Sequence, residues 1–315
     1  MRFAKKVLSL LFVLLFVLIA TESVSDAAAK KIVFLTKNQT NPFFVEMKDA
    51  VERKCAELGW EVKTLYPMTP DNNEQQIQLL EQSLLNPPDL FIITPADSHG
   101  ITPAIEQIND AGIPIINCNT KFYDPDIKYL TFVAFQNFDG AKLSVETGAK
   151  LIGYKGNVII LEGVTGAQTS IDRTDGAKAA IAEHKDLTLL AQQTTNYSRP
   201  EALQVMQDFL QKYPKIDLVF GASAEVALGA AEAIRQAGRQ KEITLVTINT
   251  YKEAIEAVKD GRVTLTVDDQ SWKQGEECVL AAKRYFDGET LPPAIMIEGK
   301  VIDSSNAEEF AQKWK

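Results

Sequence analysis

The feature that most constrains this chain is a regular alternation of apolar runs and helical patterns, which begins near residue 32. The predicted strands are continuous apolar runs without polar alternation, as is typical of a parallel sheet covered on both faces. We place them at Ile32–Thr36, Glu61–Tyr66, Leu90–Thr94, Pro114–Asn117, Asn157–Leu161, Thr188–Gln193, Leu218–Gly221, Thr244–Ile248 and Thr264–Asp268. Because a strand recurs about every 25 to 30 residues with a helix between, the pattern predicts right-handed βαβ units.

The helical patterns between these strands end at glycines, which adopt the left-handed conformation of a helix stop. Gly59, Gly112 and Gly238 each follow directly on an apolar-periodic run. The predicted helices are Pro42–Leu58, Asn72–Leu85, Thr102–Ala111, Gly140–Ile152, Gln168–His184, Pro200–Lys212, Ala224–Ala237 and Ser271–Phe286. An irregular stretch, residues 121–129, separates two similar series, so we predict an α/β fold with two doubly wound, Rossmann-like lobes.

The first residues have the order of a secretory signal peptide. A basic start precedes Val7–Ala20, a nearly unbroken apolar run. As a helix this run would span about 21 Å, which is short of the roughly 30 Å hydrocarbon core that a membrane anchor must cross. We therefore predict a signal peptide over residues 1–29, cleaved after export to the periplasm. No cysteine precedes Cys55, which excludes a lipid anchor on a modified N-terminal cysteine.

Charge and cysteine content exclude several classes of partner. The chain carries 33 Lys+Arg against 42 Asp+Glu, a formal net charge of −9, which makes it a poor binder of nucleic acid or anionic membranes. Cys55 and Cys278 fall on apolar helical stripes and are predicted to be core residues. We expect no metal, no cofactor and no nucleic-acid partner, and a monomeric protein.

Catalytic motifs are missing from the sequence. The two histidines, His99 and His184, are not accompanied by a nucleophile elbow. Neither a dinucleotide-binding glycine fingerprint after the first strand nor a phosphate-binding P-loop occurs. We therefore predict no catalytic residues and no enzymatic activity.

Polar and aromatic side chains follow the predicted strands. In doubly wound sheets ligands bind outside the carboxyl ends of the strands, so these positions are expected to line a cleft between the lobes. Amides, hydroxyls and aromatic rings together suit a sugar, whose hydroxyls pair with planar polar groups while its C–H faces stack on aromatic rings. The segments are residues 37–44, 95–98, 118–120, 163–173, 196–197, 222–223, 249–250 and 268–270.

Five blocks in order carry a resemblance to a known family: Asn41–Asp49, Ile92–Ser98, Ala111–Ile116, Leu161–Gly163 with Arg173 and Gly176, and Val219–Ala230. Through them the chain, from about residue 31 to its C-terminus, resembles periplasmic sugar-binding proteins of the ribose-binding type. These are substrate-binding proteins of ABC transporters, and their lobes also resemble the effector domains of LacI-type repressors. The resemblance implies the type I periplasmic-binding-protein fold, in which a three-segment hinge joins the two lobes.

The resemblance assigns roles to four residues. Asn41 matches a hydroxyl-binding amide, and Phe43 and Phe44 match aromatic faces that sandwich the sugar ring. Arg173 matches the arginine of the second lobe that clamps ring or hydroxyl oxygens. Core packing for the two phenylalanines, and an exposed helix position for Arg173, are the alternatives.

The other site positions depart from the ribose pattern. Asn119–Thr120 stands where the family has an Asp-Arg pair, Ser223–Ala224 where it has Asn-Asp, and Ile248–Asn249 where it has Phe-Asp. Asp269 replaces a glutamine and Tyr197 a phenylalanine. Because the charged partners that would select ribose are lost, we expect another neutral ligand, a monosaccharide or polyol. A non-sugar small molecule stays an alternative.

The predicted ligand-binding residues are Asn41, Phe43, Phe44, Asn119, Thr120, Arg173, Tyr197, Ser223, Asn249 and Asp269.

The hinge that the resemblance implies has three crossing segments, near residues 134–136, 268–270 and 297–300. One lobe would then hold residues 30–134 and about 270–296, and the other residues 136–268 and about 298–315. Ligand binding would shift an open-to-closed equilibrium of the lobes. The closed form would be recognised by a membrane permease, or by a chemoreceptor or a membrane histidine kinase. The predicted signal peptide argues against a transcriptional effector domain.

Overall fold

The computed structural model describes residues 29–312, within which twelve strands and ten helices alternate. The predicted signal peptide, its cleavage and the question of a lipid anchor lie outside the described residues. No helix in the described range is long and apolar enough to cross a membrane.

The first sheet contains six parallel strands in the order β11-β5-β4-β3-β1-β2. In this strand order the carboxyl ends of β1, β3 and β4 meet along one edge of the sheet. The strands are β1 (Lys31–Leu35), β2 (Glu61–Leu65), β3 (Leu90–Ile93), β4 (Ile115–Cys118), β5 (Thr131–Phe135) and β11 (Ala294–Ile297).

The second sheet repeats this order as β12-β10-β9-β8-β6-β7. Its pairs are parallel except for β10 with β12, which is antiparallel. The strands are β6 (Gly156–Glu162), β7 (Leu187–Thr194), β8 (Leu218–Gly221), β9 (Thr244–Ile248), β10 (Leu265–Asp268) and β12 (Lys300–Asp303).

Helices cover both faces of each sheet, because each central strand is apolar on both sides. The N-lobe, as we call the first sheet with its helices, packs α1 and α9 on one face and α2 and α3 on the other. The C-lobe, the second sheet with its helices, packs α4 and α5 on one face and α6, α7, α8 and α10 on the other. The helices are α1 (Pro42–Glu57), α2 (Asn73–Leu84), α3 (Thr102–Asp110), α4 (Asn137–Leu151), α5 (Gln168–Ala182), α6 (Arg199–Lys212), α7 (Ala224–Gln236), α8 (Lys252–Lys259), α9 (Ser271–Phe286) and α10 (Ala307–Ala311).

The chain passes between the two sheets three times. It leaves the first sheet after β5, returns between β10 and α9, and crosses again between β11 and β12. Both sheets belong to one compact unit that begins at Lys31. The predicted fold class, two doubly wound α/β lobes joined by three segments, is confirmed. The residue boundaries given for the two lobes stay a prediction.

Several elements differ from the sequence prediction. Strands β5, β11 and β12, which border two of the crossing segments, were not among the predicted strands. Helix α4 begins at Asn137 rather than at Gly140 because the chain turns into a helix as soon as it leaves β5. Helix α8 was missed, although its apolar positions Ala254, Ile255 and Val258 are buried at helical spacing.

The three cysteines are buried in the N-lobe, and all of them are free thiols. Cys118, at the end of β4, lies 3.8 Å from the sulfur of Met47. Burial raises the pKa of Cys55 to about 12, so its thiol stays protonated at neutral pH. The prediction that Cys55 and Cys278 are core residues is confirmed.

Candidate ligand-binding site

A cavity with about 310 Å³ of space, part of it open to solvent, lies between the two lobes, at the carboxyl ends of β1, β4, β8 and β9. This is the edge at which doubly wound sheets bind ligands. Both lobes contribute to its wall, which is formed by Lys37, Asn41, Phe43, Phe44, Asn119, Thr169, Arg173, Tyr197, Ser223 and Asn249.

The lobes touch at the rim of the cleft. The Ser98 amide donates to the carbonyl of Gly166 at 3.3 Å, and the Ser98 hydroxyl accepts from the Gln168 amide at 3.1 Å. A Cβ at Gly166 would lie 2.8 Å from Oδ2 of Asp97 in the other lobe. The structure therefore describes the cleft with its lobes in contact.

Backbone strain collects around the cleft. Asn119, Tyr197 and Asn249 all border the cavity with positive φ angles of 60°, 54° and 89°. Non-glycine residues rarely adopt such angles, and those that do are found preferentially at ligand sites, where the surrounding structure holds them in place.

Arg173, on α5, is the most connected side chain of the site. Its Nε donates to Oδ1 of Asn137 at 2.7 Å and its Nη1 to the carbonyl of Ala222 at 2.8 Å. Longer contacts reach Oδ1 of Asn249 at 3.5 Å and Oδ2 of Asp269 at 3.4 Å. With a side chain only 4% exposed, the guanidinium is fixed in place, and the one N–H group that these contacts leave is available to a ligand.

Asp269 lies behind the cavity rather than on its wall. Its Oδ2 accepts from Asn249 and from Arg173, while its Oδ1 has no hydrogen-bond partner among the described residues. Burial raises the pKa of Asp269 to about 7, against the opposing pull of Arg173. Asp269 therefore acts on the site through Arg173 and Asn249.

Asn119 and Asp269 are linked through a glutamine of α9. The Asn119 amide nitrogen donates to Oε1 of Gln274 at 3.0 Å, and Gln274 Nε2 donates to the Asp269 carbonyl at 2.7 Å. Thr120 is fully buried and donates to Oδ1 of Asn119 at 3.1 Å, so it supports Asn119 without reaching the cavity. Gln274 was missed because a buried helix glutamine carries no motif.

Asn41 is both a helix cap and part of the cavity wall. Its Oδ1 accepts from the Phe43 amide at 3.0 Å, which caps α1. This leaves its amide N–H groups free of any acceptor among residues 29–312. The nitrogen end of this side chain is therefore free to donate to a ligand.

The two phenylalanines do not form a sandwich with each other. The rings of Phe43 and Phe44 lie 5.0 Å apart at 89°, edge to face, so the pair cannot offer two parallel faces. Both also pack into the N-lobe core. Tyr197 approaches from the C-lobe, opposite Phe44, and Gly163 makes room for it, since a Cβ there would lie 2.1 Å from the tyrosine ring. The expected role of Phe43 and Phe44 as aromatic faces against a sugar ring stays a prediction.

Lys37 and Thr169 complete the wall and were absent from the predicted residue set. Lys37 lies two residues beyond the end of β1 and is 2% exposed. Burial lowers the pKa of Lys37 to about 8, with Asp71 the nearest opposing charge. Within the described part of the chain, no oxygen lies within hydrogen-bonding or ion-pairing distance of its Nζ. The sequence pointed to Lys37 only through its position just beyond the carboxyl end of β1, where side chains that contact a ligand are expected.

Neither histidine borders the cavity. His99 lies against the ring of Tyr123, and Nε2 of His184 lies 2.8 Å from Oε2 of Glu146. Ser223, by contrast, is on the wall, where its hydroxyl also caps α7 by accepting from the Val226 amide at 3.4 Å.

A sequence profile of the periplasmic binding protein domain matches residues 32–290. The chain belongs to the periplasmic binding protein family. Its relatives include the ribose import binding protein of Salmonella typhimurium, 28% identical over 90% of this chain and 94% of that protein. The ribose import binding protein of Bacillus subtilis is 30% identical over 81% of each chain.

Solved structures agree with the fold of this periplasmic binding protein. An ABC transporter solute-binding protein from Bacillus halodurans with bound myo-inositol matches with a TM-score of 0.85, 28% identity and coverage of 92% of this chain and 100% of that one. An ABC transporter periplasmic solute-binding protein from Actinobacillus succinogenes with bound D-allose matches with a TM-score of 0.84, 29% identity and coverage of 89% and 99%.

Proposed function

We propose that this periplasmic binding protein captures a neutral polyhydroxylated small molecule, a monosaccharide or polyol, between its lobes and delivers it to an ABC permease. The observation that carries the proposal is the composition of the cavity wall. Amides from Asn119 and Asn249, the guanidinium of Arg173 and an aromatic ring from each lobe surround one small space. Sugars are bound by this combination of groups.

The charges around the cavity favour a neutral ligand. Lys37 and Arg173 contribute two cations, and the carboxyls of Asp71 and Asp269 lie close to them. The two acids offset part of the positive charge of the two bases, which favours a neutral ligand over an anionic one. Relatives whose names state a neutral sugar or polyol support the same class.

Closure of the lobes is the proposed binding mechanism. A ligand that bonds to Arg173 in the C-lobe and to Lys37 or Asn41 in the N-lobe stabilises the closed arrangement over an open one. We propose that the protein works as a monomer in the periplasm and without catalysis. The closed pair of lobes then forms the surface that the permease recognises.

A thermal-shift screen of monosaccharides, polyols and cyclitols tests the proposed ligand class. A ligand present at a thousandfold excess over its Kd stabilises the folded protein by about 4 kcal/mol, which gives a clear rise in Tm. We expect at least one neutral sugar or polyol to produce it, and calorimetry to show one site per chain.

The screen includes amino acids, nucleosides and sugar acids as competing classes. A shift with one of these, and with no neutral sugar or polyol, would overturn the ligand class. Chemical conversion of the bound compound, followed by chromatography, would overturn the proposal of a non-catalytic role.

A further inference from the structure

A second hollow adjoins the ligand cavity. It contains about 1190 Å³ of space, part of it open to solvent, and shares Asn41, Phe44 and Tyr197 with the cavity wall. We call this hollow the vestibule. Its remaining wall is formed by Asn38, Thr40, Pro70, Asp71, Val164, Asn196, Ser198, Arg199, Pro200, Glu201 and Glu225. Because the two spaces share three side chains, they are adjacent to each other.

The C-lobe wall of the vestibule is held rigidly by ion pairs. Arg199 forms a two-point pair with Glu225, at 3.0 and 2.9 Å, and another with Glu253, at 2.9 and 2.8 Å. The Tyr251 hydroxyl also donates to Glu225. With both carboxylates fixed by one guanidinium, the remaining lone pairs of Glu225 are presented in a defined direction.

Two further polar pairs face the vestibule. On the C-lobe side, Asn196 donates to Oε2 of Glu201 at 2.8 Å. On the N-lobe side, Asn38 donates to Oδ2 of Asp71 at 3.1 Å. Asn196 and Asp71 both have left-handed backbones, with φ angles of 50° and 57°.

The charges of the vestibule define what it can accept. Three carboxylates, those of Asp71, Glu201 and Glu225, face one guanidinium that is already paired with two acids. A phosphate or carboxylate group would be repelled, whereas hydroxyl groups can donate to the carboxylate oxygens. The space beyond the cavity therefore suits a neutral unit that carries several hydroxyls.

We propose that the vestibule is a second subsite, which binds a neutral hydroxyl-bearing unit attached to the molecule in the cavity. The preferred ligand of this protein is then a disaccharide or a glycoside of a polyol rather than a free monosaccharide. This inference rests on the proposed function, because it requires a sugar or polyol in the cavity.

Calorimetric titration with matched sugars tests the inference. The monosaccharide or polyol that gives the largest Tm rise in the screen is compared with its α- and β-linked glucosides and galactosides. We expect at least one of these glycosides to bind about tenfold or more tightly than the unsubstituted compound. The 6-phosphate of the same sugar should bind more weakly than the sugar. If every glycoside binds no more tightly than its parent, the second subsite is overturned while the proposed function stands. If no sugar or polyol binds in any form, both fail.

Variants of the vestibule separate its contribution from that of the cavity. Asn196→Gly keeps the left-handed backbone but removes the amide, and Glu201→Gln removes the charge of its partner. We expect each to weaken glycoside binding about fivefold and to leave binding of the parent sugar unchanged. Glu242→Gln, which alters an exposed glutamate paired with Arg239, is the matched control and should change neither. An equal loss for glycoside and parent would contradict a separate subsite.

Discussion

The two halves of the binding cavity are built in different ways. In the C-lobe half, Arg173, Asn249 and Asp269 are bonded to one another and to Asn137 and the Ala222 carbonyl. In the N-lobe half, the ammonium of Lys37 and the amide nitrogen of Asn41 have no such partner among the described residues, although both groups lie at the cavity.

The difference indicates a division of labour between the lobes. The C-lobe half is preorganised, since its side chains are already oriented by hydrogen bonds before a ligand arrives. The N-lobe half has unmet donor capacity at Lys37 and Asn41, and the burial of Lys37, whose opposing charge on Asp71 lies beyond ion-pair distance, costs folding free energy. A ligand that bridges the lobes meets that capacity. We therefore expect closure to gain most of its free energy on the N-lobe side, with its geometry set on the C-lobe side.

The largest expected effect comes from breaking the preorganised half. Arg173→Ala removes a charged donor and releases Asn249, so the ligand affinity should fall about 100-fold or more. The protein should also lose about 3 kcal/mol of unfolding free energy, since the buried Ala222 carbonyl and Asn137 oxygen lose their donor. Calorimetry and urea unfolding measure the two effects.

Arg235→Ala, on an exposed face of α7, is the control for loss of an arginine and should change neither quantity measurably. Ligand affinity that survives the loss of Arg173 would show that the C-lobe half does not set the geometry of binding.

The second prediction is that replacing Lys37 lowers the ligand affinity but raises the stability of the folded protein. Lys37→Met removes the buried ammonium, whose pKa is lowered from 10.5 to about 8. At pH 7 both folded and unfolded chains carry the proton, so the full burial cost, about 3 kcal/mol, is relieved and the stability should rise. The ligand affinity should fall about tenfold, since the donor in the N-lobe half is lost.

Lys63→Met, at an exposed position of β2, is the matched control in the same thermal-shift and calorimetric measurements. A Lys37→Met protein that loses stability as well as affinity would show that Lys37 has a bonded partner within the fold, and would remove the contrast between the two halves.

Features of the two cavity halves that depend on neighbouring residues in the sequence could be predicted. Features that arise only when distant segments pack together could not. The sheets followed from runs such as Leu90–Thr94, and Arg173 and the two phenylalanines from a motif. Lys37 could not be predicted as a buried cation, because its burial depends on contact between lobes that are distant in the sequence. The ring geometry of Phe43 and Phe44 and the bridging role of Gln274 likewise exist only after packing.

The smallest expected effect is a pH dependence that belongs to the N-lobe half alone. If the ligand accepts a hydrogen bond from the Lys37 ammonium, binding requires the proton, so the affinity should fall as the pH rises through about 8. The loss should reach about twofold at pH 8 and about tenfold at pH 9, as the free protein releases the proton.

Asp269, whose pKa is raised to about 7 by burial, adds a separate pH dependence of the ligand affinity near pH 7, because its charge acts on the site through Arg173. Titrations of the Lys37→Met variant over the same range separate the two groups: the dependence above pH 8 should vanish and the one near pH 7 should remain. A dependence above pH 8 that persists in this variant would assign it to another group and leave Lys37 without a role in ligand binding.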